Sequence, residues 1–197
     1  MTRTTFYFDL GSPYAYLAAE RISEVLRGPV AWQPVSLGGL FKVNGRSSWG
    51  LSDPAGRQRG MAEVERRAVL YGLPPVLWPD PWPSNYLFAM RAATFAFQQG
   101  RGREFTVRAF RHAFQQGHDL GVPERVLEVA AEVGLDPREL EAATGDPEVK
   151  LALRTATDAA HELGVFGVPT VAVGDELFWG EDRLRDAAAA LDRRGGS

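Results

Sequence analysis

The sequence predicts an α/β fold in which a β-α-β opening and a β-β-α close are separated by a long run of helices. Three observations carry this reading. A short aromatic run, residues 6–10, empties into Gly11-Ser12-Pro13. From about residue 40 to about residue 163 the apolar residues recur at helical spacing in six successive segments. Two short apolar runs, residues 170–173 and 176–179, are then joined by the turn dipeptide Gly174-Asp175.

Phe6-Tyr7-Phe8-Asp9-Leu10 is short, aromatic and bounded by Gly11, as a buried strand is. Tyr14, Leu17, Ala18, Ile22, Val25 and Leu26 follow at spacings of three and four, which predicts a helix starting near Pro13. After Gly28-Pro29, the run Val30-Ala31-Trp32-Gln33-Pro34-Val35 reads as a second strand. Helices are expected over 57–70, 86–98, 104–115, 124–133, 137–143 and 147–163. Glycine- and proline-rich turns separate them, among them Tyr71-Gly72-Leu73-Pro74-Pro75 and Pro79-Asp80-Pro81-Trp82-Pro83. The runs at 170–173 and 176–179 pair as a hairpin, and residues 183–191 close the chain as a helix. This order is a thioredoxin-like fold with a large all-helical insertion. Residues 1–40 and 164–197 are expected to form the thioredoxin-like domain, and residues 41–163 the inserted helical domain.

Composition narrows the function. A chain of 197 residues can bury a substantial core. Hydrophobic residues at 45% and charged residues at 24% are ordinary for a globular protein. A formal net charge of −3 supplies no field for nucleic acid or a membrane surface, so neither is expected as a partner. The absence of cysteine excludes disulfides, thiolate metal sites and a cysteine nucleophile. The N-terminal residues contain no long apolar signal region, and no run of about 18 apolar residues follows, which makes the cytoplasm the expected location. His112, His118 and His161 have no carboxylate or cysteine partners at metal-ligand spacing, so no metal is expected. Gly38-Gly39 lacks the Gly-Lys-Ser/Thr of a phosphate loop. No G-x-S-x-G elbow is present and Ser12 has no identifiable His and Asp partners, which argues against a serine hydrolase.

Ser12-Pro13 is a favoured helix start, because the Ser hydroxyl accepts an orphan amide and Pro lacks the N–H that would be wasted. The same helix end is rich in amides and carries a partial positive charge, which with a hydroxyl suits a bound thiolate. Such surroundings lower a thiol pKa from about 8.5 and raise the reactive fraction at neutral pH. Since the chain has no cysteine, any thiol must come from outside.

Five motifs in order carry a family resemblance: Asp9-Leu10-Gly11-Ser12-Pro13-Tyr14-Ala15-Tyr16-Leu17, Leu37-Gly38-Gly39-Leu40-Phe41-Lys42, Pro83-Ser84-Asn85-Tyr86-Leu87, Gly164-Val165-Phe166-Gly167-Val168-Pro169-Thr170 and Phe178-Trp179-Gly180-Glu181-Asp182-Arg183-Leu184. On these the chain resembles the 2-hydroxychromene-2-carboxylate isomerases and the kappa-class glutathione transferases of the DsbA-like superfamily. Redox members carry Cys-x-x-Cys where Ser12 and Ala15 stand here. The resemblance implies that glutathione is the cofactor and that Ser12 donates a hydrogen bond to its sulfur. It implies a cis bond at Val168-Pro169, with the Val168 backbone pairing with the cysteinyl portion of glutathione as an added strand would. Asp182 would meet the γ-glutamyl ammonium, with Glu181 beside it in place of a smaller polar residue. Asn44 is a candidate for the same ligand, and Lys42 and Arg46 are candidates for its glycyl carboxylate or for an acidic substrate; solvated surface is their competing role. Asn85 has two readings, a cap for the following helix or an orienting group for substrate. Tyr14, Trp82 and Trp179, with Trp78 and Phe178, are candidates for an aromatic substrate pocket; core packing is the competing role.

The implied activity is glutathione-dependent cis-trans isomerisation of a small aromatic carboxylate, 2-hydroxychromene-2-carboxylate, to trans-o-hydroxybenzylidenepyruvate. The thiolate adds, a bond rotates and the thiolate leaves, so glutathione is not consumed. The alternatives are a kappa-class-like transferase and a non-redox DsbA-like peptide-binding protein. A homodimer is implied by the resemblance.

Overall fold

The computed structural model describes residues 3–51 and 53–195. Four strands, β1 (Thr4–Phe8), β2 (Ala31–Pro34), β3 (Thr170–Val173) and β4 (Glu176–Trp179), form one mixed sheet in the order β2-β1-β3-β4. β1 runs parallel to β2 and antiparallel to β3, and β4 continues antiparallel from β3. The parallel pair requires a crossover, and α1 (Pro13–Val25) supplies it.

Every residue of β1 is buried, as expected of a central strand covered on both faces. Alternation along it sends Phe6 and Phe8 to one side and Tyr7 to the other. Phe6 meets Trp32 edge to face at 4.9 Å, and Phe8 lies 6.1 Å from Phe110. On the Tyr7 side a smaller cluster holds Val35, Leu40, Ala160, Val165, Val168 and Ala172.

Between β2 and β3 lie α2 (Leu37–Asn44), a 3-10 turn (Trp49–Leu51), α3 (Pro54–Leu70), α4 (Leu87–Gln98), α5 (Gly102–Gln116), α6 (Pro123–Glu132), α7 (Pro137–Gly145) and α8 (Pro147–Glu162). A 3-10 turn (Glu181–Arg183) leads into the closing helix α9 (Leu184–Gly195). Proline at the first turn, with an aspartate as cap before α3, α7 and α8, explains why these helices start where they do. No helix among the described residues is long and apolar enough to cross a membrane.

α2 is not among the helices expected from the sequence. Ser36 Oγ accepts from Gly39 N at 3.1 Å to start this helix, and left-handed Gly45 (φ 63°) ends it. A side chain at 39 would bring its Cβ within 3.2 Å of Thr157, so the glycine permits close packing of α2 on α8.

Candidate functional site

The chain leaves β1 through a turn held by Asp9. Its carboxylate accepts from Gly11 N at 2.8 Å and from Leu37 N at 2.7 Å, tying the start of α1 to the start of α2. Burial pushes the Asp9 carboxyl up to about 6, against the opposing pull of the Leu37 and Gly11 amide bonds. Gly11 is required by space: a Cβ there would stand 2.4 Å from the Tyr86 ring. Trp82 Nε1 donates to the Gly11 carbonyl at 3.3 Å, which fixes the indole against the same turn.

Ser12 is the N-cap of α1, with extended backbone and Oγ accepting from Ala15 N at 3.2 Å. The same Oγ stands 3.5 Å from the Val168 carbonyl oxygen, the outer limit for donation. That weak contact leaves the hydroxyl proton free to turn toward a better acceptor. The Val168-Pro169 peptide is cis, as the sequence reading expects, and Pro169 O is held by Gly180 N at 2.9 Å. Among the described residues, no hydrogen bond engages the Val168 N–H.

These segments open onto a cavity of about 550 Å³. One side is the turn at residues 11–14, with residues 166–169 opposite and residues 179–183 beside them. α2 and the segment after it add Leu37, Phe41, Arg46, Ser48 and Trp49, and α3 adds Arg67. Aromatic edges dominate: Trp49 lies 4.8 Å from Trp82 and 6.1 Å from Tyr14, and Phe166 lies 4.8 Å from Trp179. Trp179 is 51% exposed at the rim.

Charge in the cavity is sorted into paired and unpaired groups. Glu181 is 1% exposed, accepts from Arg21 at 2.9 Å and is bonded to Arg67 as well. Arg67 also meets Glu63 at 2.6 Å, and these carboxylates hold its guanidinium firmly charged despite desolvation. Burial pushes the Tyr14 phenol up, with the Arg67 charge opposing it. Asp182 is exposed and makes no ion pair among the described residues. Arg46 likewise makes none, and its guanidinium sits 4.7 Å over the Phe166 ring.

Of the residues singled out in the sequence, Ser12, Tyr14, Trp82, Val168, Pro169, Trp179, Glu181 and Asp182 all line this cavity. Lys42, Asn44 and Asn85 are outside its lining. Lys42 is exposed on α2, and Asn44 Nδ2 is turned back onto Leu40 O at 2.9 Å. Asn85 Oδ1 accepts from Leu87 N at 3.1 Å, one residue ahead of the N-cap Tyr86. Trp78 Nε1 donates to Glu65 and Phe178 packs into the core, so neither reaches the cavity lining. Trp49 and Arg67 went unremarked in the sequence; no local pattern distinguishes them from the other tryptophans and arginines.

His112 and His118, which have no carboxylate at ligand spacing in sequence, stand beside Glu128 in the fold.

Residues 3–192 match the DSBA-like thioredoxin domain, and the chain belongs to that family. Within it, the chain is similar to the 2-hydroxychromene-2-carboxylate isomerase of Sphingobium xenophagum, at 29% identity over 93% of this chain and 95% of the relative. It is also similar to glutathione S-transferase kappa 1 of Caenorhabditis elegans, at 25% identity over 98% and 92% of the two chains. In three dimensions it matches a solved 2-hydroxychromene-2-carboxylate isomerase with a TM-score of 0.83 and 24% identity, covering 98% of this chain and 95% of that one. The fold is thus DsbA-like, and the resemblance read from the five motifs holds.

Proposed function

We propose that the chain is a glutathione-dependent isomerase of 2-hydroxychromene-2-carboxylate-type aromatic compounds. The observation that carries this is the position of the Ser12 hydroxyl and the first-turn amides of α1 opposite the Val168 backbone, in a chain without cysteine. The named isomerase relatives support the reaction class.

The residues fit glutathione chemically. Among the described residues, Asp182 and Arg46 make no ion pair and the Val168 N–H no hydrogen bond, so the carboxylate suits an ammonium, the guanidinium a carboxylate and the N–H a peptide carbonyl. Glutathione would supply a thiol able to add reversibly to a conjugated substrate, so that a double bond becomes free to rotate. Ser12 would donate to the sulfur and hold it ionised, helped by the partial positive charge of the α1 terminus. Trp49, Trp82 and Trp179 would receive the aromatic ring and exclude water from it. Arg67 lines the same cavity and would draw the substrate carboxylate, although its two carboxylate partners already offset much of its charge.

Ser12→Ala tests this reading. Loss of a donor aimed at developing charge costs roughly 10²–10³-fold in turnover, and the lost cap costs about 1 kcal/mol of stability. The pKa of bound glutathione, followed by thiolate ultraviolet absorbance, should rise in the variant. Full isomerase activity with an unchanged thiol pKa would overturn the role of Ser12. A kappa-like transferase is the second reading, favoured by the nematode relative. Release of a stable thioether product would select it.

A further inference from the structure

Away from the cavity, α5, the loop after it and α6 bring together His112, His118 and Glu128, with one ligand atom from each within 4.8 Å of the others. The arrangement is built by local grammar. Left-handed Gly117 (φ 72°) ends α5, and His118 N donates back to His112 O at 2.9 Å, closing a loop that sets the second histidine edge-on against the first. The two imidazoles cross at 77° with centroids 5.3 Å apart.

Their hydrogen bonding points to a ligand set. His112 is 3% exposed, and its Nε2 lies 3.0 Å from Glu132 Oε1. With Nε2 donating to that carboxylate, Nδ1 is the ring nitrogen left to hold a metal. That Nδ1 faces His118 Nδ1 at 3.4 Å. Two nitrogens bound to one tetrahedral Zn²⁺ at about 2.0–2.1 Å stand roughly 3.4 Å apart. A carboxylate behind a ligating imidazole is also the usual support of such a ligand.

We propose that His112, His118 and Glu128 form a site for a divalent transition metal of the Zn²⁺ class, separate from the thiol cavity, with Glu132 orienting His112. Three protein ligands leave a fourth position for water. Two arginines border the site: Arg108 meets Glu132 Oε2 at 3.2 Å, and Arg125 meets both Glu128 oxygens at 3.0 and 3.1 Å. The Arg125 pair is exposed and worth about 1 kcal/mol at most, so a cation can displace it.

The test is calorimetric titration of chelator-stripped, tag-free protein with Zn²⁺, with Co²⁺ absorption in the visible as a spectroscopic readout of the ligands. The expected result is one Zn²⁺ per chain. His118→Ala should weaken binding by at least about 100-fold, the upper end of what losing a supporting residue alone costs. Glu128→Gln should weaken it by about 10-fold and alter the Co²⁺ bands, while His161→Ala should bind as the parent does. Neither His118 nor Glu128 is buried, so circular dichroism of the metal-free variants should match the parent. Failure to bind Zn²⁺ at micromolar metal would overturn the site, and so would binding that His118→Ala leaves unchanged.

Discussion

Asp9 and Gly11 set the geometry of the turn between β1 and α1. Asp9 is a buried carboxylate whose desolvation exceeds the benefit of its two amide bonds, so the folded state holds its proton more tightly than the unfolded chain. The stability it contributes is therefore present below the usual carboxylate pKa and is lost as pH rises toward about 6, by on the order of 3 kcal/mol. Denaturant melts of the parent and Asp9→Asn from acid to neutral pH should diverge across that window, the parent losing more. Parallel curves would remove Asp9 as the titrating group. Gly11→Ala should cost about 1–3 kcal/mol, because the new methyl meets the Tyr86 ring. At this scale the sequence was readable wherever the chemistry is local. Ser12-Pro13 declares a helix cap in adjacent residues, and Val168-Pro169 stands at a strand start. Asn44 and Asn85 each bond the backbone of their own segment, and nothing in composition separates such an amide from one that holds a ligand. The proximity of His112, His118 and Glu128 joins α5, the loop after it and α6, so spacing in sequence did not reveal it.

The elements around the cavity are clamped by Glu181, which joins α1 through Arg21 and α3 through Arg67 to the turn before α9. Removing one charge from a buried set strands its partner, here Arg21, while Arg67 keeps Glu63, at a cost of about 3–5 kcal/mol. Glu181→Gln should therefore lower stability by that order while keeping the side-chain shape, measurable by chemical denaturation. A loss under about 1 kcal/mol would show that the pair behaves like an exposed one. In the sequence Glu181 read as a ligand contact beside Asp182; the structure assigns its carboxylate to two arginines more than a hundred residues upstream. Helices α3 to α8 were legible because each pairs an apolar stripe with a proline or glycine boundary. α2 was not, since the glycines that let it approach α8 also erase its stripe.

For the whole molecule, the larger apolar cluster runs without a break from Phe6 and Phe8 of the sheet through Tyr16 and Leu17 of α1 to Phe110, Val129 and Leu140 of the inserted helices. Elements sharing one core lose it together, so thermal unfolding followed by circular dichroism and by tryptophan fluorescence should give coincident single transitions. Two separated transitions would mean that the inserted helices and the thioredoxin-like segments are independent units. The cavity also draws on both, with Ser12 and Val168 from the thioredoxin-like segments and Trp49, Arg67 and Trp82 from the inserted segment. The central claim is that this cavity binds a thiol in its ionised form. Calorimetric titration with reduced glutathione beside S-methyl glutathione measures that directly. Binding of glutathione with a clear preference over the methylated form, which cannot ionise at sulfur, is the predicted result. Equal affinity for the two, or no binding at millimolar ligand, would contradict the account.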